Sequence, residues 1–189
     1  MKLYFDIDTQ IDFLFPAGAL YVPGAEKLLP LIATLNRSAS ASGARVISTM
    51  CAHEENDAEF KQWPPHCVTG TVGQAKPCVL LLEKRSVVPN QPASVSVDDV
   101  SQMLLEKSQL DLFTNPNLDS LLKSLAPEEC VVYGVVTEYC VRHCAMGLLD
   151  RGYKVSLVRE AIQSLNNIDA DRFLHDFAGR NGASFWREA

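Results

Sequence analysis

Apolar runs and stretches of helical spacing alternate along the chain. KLYFDID at 2–8, ARVISTM at 44–50, CVLLLEK at 78–84, ECVVYGVV at 129–136 and YKVSLVRE at 153–160 read as buried strands. Between them, residues 24–42 place Leu28, Leu29, Ile32 and Leu35 on one helical face and stop near Gly43. Residues 117–125 and 138–149 follow the same spacing, the second ending before Gly152, and a last helix over 169–177 precedes a short strand at 183–186. A 3.6-residue period between short continuous apolar runs is the pattern of a parallel α/β sheet.

Two segments break the alternation. Residues 53–77, within a loop region at about 51–77, are polar and rich in Pro and Gly, as in WPPHCVTGTVG, and are too long for an ordinary connection. Loops of that length inside a compact domain usually carry function. A second irregular insert covers about 85–99. No repeat, low-complexity tract or linker divides the chain, so 1–189 reads as one domain.

Composition narrows the partners. Of 189 residues, 47% are hydrophobic and 21% charged, and 17 basic against 23 acidic residues give a net charge of -6 without a Lys/Arg cluster. Such a surface lacks the footprint of a nucleic-acid binder. No stretch approaches the ~20 apolar residues of a membrane span, and MKLYFDID has no apolar signal core, so a cytoplasmic protein is expected. Six irregularly spaced cysteines read as thiols rather than as a disulfide framework.

Ligands of an open parallel sheet gather at the carboxyl ends of its strands. Asp8 follows the first strand, Cys51 and His53 the second, and Cys140 the fourth. With Thr137 or Glu138 as a cap, Cys140 falls in the first turn of a helix, where backbone N–H groups and the helix dipole favour a thiolate. Cys144 lies one turn on, where packing is its expected role. Lys107 closes the run SQMLLEK, and if it meets Asp8 and Cys140 the three make a nucleophilic set of carboxylate base, cation and thiol. In the long loop Cys51, His53, Glu59 and His66 are ligand types for a borderline metal such as zinc, with Cys51 and His53 on one face of an extended segment.

Four segments, DTQIDF at 8–13, WPPHCVTGTVG at 63–73, EKSQLDLF at 106–113 and GVVTEYCV at 134–141, together resemble the isochorismatase-like cysteine hydrolases, in their nicotinamidase-related branch. The resemblance spans about Leu3 to Ala161 and implies a Rossmann-like three-layer α/β/α sandwich around a mostly parallel sheet. It implies a triad of Asp8, Lys107 and Cys140, a cis peptide between Val135 and Val136, and an oxyanion hole formed by the N–H groups of Val136 and Cys140. It implies a metal held by His53, His66 and Glu59, with Cys51 where the family usually has aspartate; the softer thiolate biases the site toward zinc. Phe13 and Trp63 match positions packed around an aromatic substrate. No organic cofactor is expected.

The reaction these residues imply is cleavage of a small, heteroaromatic amide such as nicotinamide to the acid and ammonia through a thioester. Lys107 should hold Asp8 ionised and also favour the thiolate. EKSQLDLF departs from the K-x-x-Y-S-A-F form of nicotinamidases, which leaves open another small substrate of an isochorismatase-like hydrolase. A non-catalytic, redox-responsive thiol protein on the same fold is the third reading, disfavoured because a sensor needs neither Asp8 nor Lys107. A homo-oligomer, at least a dimer, is expected by analogy with such enzymes.

Overall fold

The computed structural model describes residues 1–186. Seven strands, β1 (Lys2–Ile7), β2 (Arg45–Cys51), β3 (Arg85–Val88), β4 (Gln102–Lys107), β5 (Glu129–Val135), β6 (Val155–Gln163) and β7 (Ala183–Phe185), form one sheet in the order β3-β4-β2-β1-β5-β6-β7. Every pairing is parallel. The helices are α1 (Ile11–Leu14), α2 (Leu29–Ala41), α3 (Leu118–Leu125), α4 (Arg142–Asp150) and α5 (Asn167–Ala178). Among the described residues no helix is long and apolar enough to cross a membrane.

Strand alternation distributes the apolar side chains over two layers. Leu3, Phe5 and Ile7 of β1 join Val132 of β5 under α3, α4 and α5, where Leu122, Leu148 and Phe177 close the core. On the opposite face Tyr4, Val46 and Val131 pack against Ile32 and Leu35 of α2. Both faces of a parallel sheet are covered, which is why its strands read as continuous apolar runs rather than alternating ones. The three-layer sandwich expected from the sequence is the observed architecture, and its sheet is parallel throughout.

One predicted strand is corrected. Residues 78–84 do not pair; Cys78–Leu80 form a 3₁₀ turn after Pro77. The carbonyl of Leu80 accepts instead from the side-chain amides of Asn36 (3.0 Å) and Gln102 (3.0 Å). Leu80 is buried while Val79 is exposed, so the segment's apolar character serves a cover between α2 and the sheet. The strands at this side are β3, inside the segment read as an irregular insert, and β4, the run ending in Lys107. Residues 24–42 open with a 3₁₀ turn, Ala25–Leu28, before α2 begins.

The buried carboxylate of Asp6 is paired, as its cost requires. It accepts from Thr9 Oγ1 (2.6 Å), Ser48 Oγ (2.9 Å) and Asn36 Nδ2 (3.3 Å), and Lys76 Nζ lies at 3.4 Å. This network locks the end of β1 against β2 beneath the site. On the other side β5 approaches β1 closely at Gly134, where φ is +118° and an added Cβ would meet the Ile7 carbonyl oxygen at 2.2 Å. Only glycine fits there.

Candidate active site

The chain leaves β1 toward β2 on one side and β5 leads to β6 on the other, so the carboxyl end of β1 is where the winding reverses, the place an open α/β sheet offers a ligand. Asp8 follows β1 there, Cys140 follows β5, and Lys107 closes β4 directly opposite Cys51 in the β2–β4 register. Lys107 Nζ lies 2.9 Å from Asp8 Oδ2 and donates to the sulfurs of Cys51 (3.3 Å) and Cys140 (3.6 Å) and to the Gln109 carbonyl (3.1 Å). Three residues distant in sequence therefore meet at one buried ammonium.

Thr49, on β2, completes the surroundings of Asp8. Its hydroxyl donates to Asp8 Oδ1 at 2.5 Å and accepts from the Asp8 N–H at 2.9 Å. Burial alone raises a carboxyl pKa; the Lys107 ammonium, with hydrogen bonds from Cys140 and Thr49, outweighs it and holds Asp8 below its usual value. For Lys107, burial favours the neutral amine, but Asp8 and the two neighbouring sulfurs hold its pKa well above the ordinary one. This pair is ionised.

The expected thiolate is corrected. Burial, and then the Asp8 charge, push the Cys140 thiol well above the ordinary cysteine range, against the pull of Lys107. A neutral thiol facing a carboxylate is a different resting state from an ion pair, since the proton has not moved. Nor do Thr137 or Glu138 cap the following helix with a side chain. Cys140 lies in a wide turn, Thr137–Val141, in which the Val141 N–H reaches back to the Val136 carbonyl at 3.2 Å. The Val135–Val136 peptide is cis, as the resemblance implied.

The long loop folds back on β2. His53 bridges to Val68 in parallel, and the Thr69 N–H donates to the His53 carbonyl at 2.9 Å. This return brings one ligand atom each from Cys51, His53 and His66 within 4.8 Å of one another. Glu59 stands outside that group, its Oε1 3.9 Å from His66 Nε2.

These residues fit a divalent metal on four grounds. His53 Nδ1 is 3.0 Å from Asp57 Oδ2 and His66 Nδ1 is 2.8 Å from the Pro64 carbonyl, so each ring's second nitrogen is left as the free donor. His53 Nε2 is buried without a hydrogen-bond partner. Burial lowers the His66 pKa and keeps that ring neutral, as a ligand must be. Burial also pushes the Cys51 thiol up to about 12, with Asp8 adding to the effect, and a coordinated cation displaces such a proton.

A pocket opens in front of Cys140. Phe13 and Trp63 line it, together with Glu59, Leu110, Tyr139 and Leu165. Phe13 packs edge-on to the His66 ring at 5.3 Å between centroids, and Trp63 edge-on to Tyr139 at 5.4 Å. Cys144 takes no part; it is fully buried in the core beneath α4.

Sequence reading missed the residues that hold these groups in place. Gln10 accepts from the Cys51 N–H (2.7 Å) and donates to the carbonyls of Cys51 (2.8 Å) and Gln74 (2.7 Å). Asp12 accepts from the N–H groups of Cys67 (2.7 Å) and Ala19 (3.0 Å). Both belong to DTQIDF, so their signal was present in the motif; Thr49 and Leu165 lie in segments with no such mark.

Known proteins share this fold and family. The isochorismatase domain model matches residues 5–184. The isochorismatase family protein PncA of Bacillus subtilis is 26% identical over 183 residues, covering 94% of both chains. A nicotinamidase of Escherichia coli is 25% identical over 185 residues, covering 85% of this chain and 82% of its own. The pyrazinamidase of Pyrococcus horikoshii, solved in complex with zinc, matches with a TM-score of 0.81 and 27% identity over 99% of each chain. With its sheet order, strand-end residues and nearly full-length match, this chain belongs to the isochorismatase family.

Proposed function

We propose that this protein is a single-domain cysteine amidohydrolase that cleaves a small, flat amide, nicotinamide being the leading case, to the acid and ammonia. The observation that carries the reading is the meeting of Asp8, Lys107 and Cys140, with Lys107 Nζ 2.9 Å from the carboxylate and 3.6 Å from the sulfur. Names of relatives, nicotinamidase and pyrazinamidase, support the substrate class.

In this mechanism Asp8 takes the Cys140 proton as the sulfur attacks the amide carbonyl, so the thiolate forms only as it is consumed. Lys107 keeps Asp8 ionised and offsets the negative charge on the carboxylate–sulfur pair. The N–H groups of Val136 and Cys140 receive the carbonyl oxygen as it gains charge; donors of this kind are typically worth ~3 kcal/mol each in the transition state. The C–N bond then breaks, Asp8 returns the proton to the departing nitrogen, and ammonia leaves a thioester on Cys140. Water attacks the thioester with Asp8 as base; the acid is released and the thiol restored.

Cys51, His53 and His66 would hold a divalent metal, zinc by the softness of the thiolate, with Glu59 beside them. Such a metal supplies an electron-pair acceptor at the pocket wall for a ring nitrogen of the substrate. Phe13 and Trp63 flank the ring and exclude water from it.

Ammonia release from nicotinamide, with mass spectrometry of protein quenched during turnover, tests the reading. The expected adduct is a nicotinoyl group on Cys140, absent in C140A. Full activity in C140A would overturn the mechanism, and inertness toward a panel of small amides would overturn the function.

A further inference from the structure

The turn that carries Cys140 also carries a carboxylate that the chemistry above does not use. Glu138, two residues before Cys140, is 7% exposed. Its Oε1 accepts from two successive backbone N–H groups, Leu165 at 3.0 Å and Asn166 at 2.7 Å. Its Oε2 is buried without a hydrogen-bond partner. A half-satisfied buried carboxyl is costly to keep in a fold and asks for a reason.

What it holds supplies one. Residues 164–166 connect the end of β6 to α5, outside any strand or helix ladder. Asn166 caps α5 by accepting from the N–H groups of Ile168 (3.0 Å) and Asp169 (3.4 Å), so its backbone must be fixed for the cap to form. Leu165 lines the pocket in front of Cys140 while remaining 39% exposed. A leucine that open to solvent has little burial to hold it, and the hydrogen bond to Glu138 takes its place.

We propose that Glu138 is a positioning residue that anchors Leu165 as one wall of the substrate pocket. The turn that presents the sulfur thereby also sets how wide an acyl group can reach it. Glu138 touches neither the substrate nor the reacting atoms; it acts through the backbone of Leu165. The kinetic consequence rests on the amidase reading above, whereas the anchor itself does not.

The test uses E138A, E138Q, L165A and the double variant E138A/L165A in the full-length protein. Hydrogen exchange at the amides of Leu165 and Asn166 is followed first. E138A should speed it by about tenfold or more through local opening, and E138Q should restore it because the amide oxygen can accept the same two bonds. Selectivity is then measured as kcat/KM for nicotinamide against the bicyclic quinoline-3-carboxamide. E138A and L165A should each shift the ratio toward the bicyclic amide by about tenfold, chiefly through KM for nicotinamide, and the double variant should go no further than either single one. Where E138A does not fold, E138D keeps the charge but shortens the reach by one methylene and should give the same signs. Unchanged exchange at Leu165 and Asn166, or effects of E138A and L165A that add, would overturn the proposal. If the wild-type protein hydrolyses neither amide, nicotinamide is excluded as its substrate, and the exchange measurement still decides the anchor.

Discussion

Lys107 Nζ lies 2.9 Å from Asp8 Oδ2 with both side chains almost fully buried, a salt bridge far from the solvent that would screen it. Removing one partner of such a pair leaves an uncompensated buried charge, typically a loss of ~3–5 kcal/mol. K107M is therefore expected to lose most activity and to be less stable than D8N/K107M, in which both charges are gone. Urea unfolding of the two variants at pH 7 checks this; a double variant less stable than K107M would refute the pairing.

The same pair sets a pH dependence. Asp8 has its folded pKa below the ordinary value of 3.8, so it binds its proton less readily folded than unfolded. Its stabilising contribution is complete above the unfolded value and is lost as pH falls through the lower folded one. The stability difference between wild type and D8N should accordingly stay level from pH 7 to about 5 and shrink only below pH 4. Denaturant titrations at pH 7, 5 and 3 measure it, and a difference already halved at pH 5 contradicts the assignment.

Thr49 both donates to Asp8 Oδ1 and accepts from the Asp8 N–H. T49V keeps the shape and deletes both bonds, leaving buried groups unsatisfied at a cost of about 1–3 kcal/mol. The expected result is that loss in stability together with a fall in kcat larger than any rise in KM, because the base is displaced rather than the substrate. Serine at this position should recover most of both.

Zinc content should follow the loop's support as well as its ligands. Asp57 orients His53 through Nδ1 at 3.0 Å, and outer partners of this kind typically contribute tenfold to a hundredfold in metal affinity. D57A should weaken zinc binding by about that factor, H53A and H66A more. Equilibrium dialysis against zinc reads the series directly. Equal affinity in all four proteins would remove the metal from this site.

Gly73 lies so close to Asp12 that an added Cβ would meet Oδ2 at 2.1 Å. That oxygen holds the Cys67 N–H next to His66, so G73A should push Asp12 aside, costing about 1–3 kcal/mol as overpacking and loosening His66. Thermal unfolding and zinc affinity should both fall; a G73A protein with wild-type values for both would show that Asp12 does not order this segment.

Several of these relationships were legible in the linear chain, and the reasons differ from residue to residue. Apolar runs such as ECVVYGVV announce a strand covered on both faces, because burial on two sides demands an unbroken run. Spacing places Asp8, Cys51 and Cys140 after strands, and strand ends are where parallel sheets bind ligands. The motifs carried the rest: DTQIDF and GVVTEYCV name side chains whose chemistry does not depend on knowing their distances.

Tertiary structure decided what depends on which strand lies beside which. CVLLLEK has a strand's composition yet forms a cover, while SQMLLEK, ending in Lys107, takes its place in the sheet as β4. Composition cannot separate the two, because both are short apolar runs closed by Glu-Lys. Only the folded chain shows that residues 102–107 are buried almost throughout, whereas Leu80 and Leu82 alone are buried in the other. The protonation state of Cys140 was beyond reach for a related reason. Helix position alone favours a thiolate, but burial and the facing Asp8 charge outweigh it, and neither exists until β1 and β5 are neighbours. Glu138 shows the same limit from the other side: as part of a motif it reads as a helix cap, and only the folded chain brings Leu165 and Asn166 to its oxygen. The sequence thus specifies which chemical groups exist and at which strand ends they fall, while distance and dielectric, which set charge and partner, arise only when the sheet is assembled.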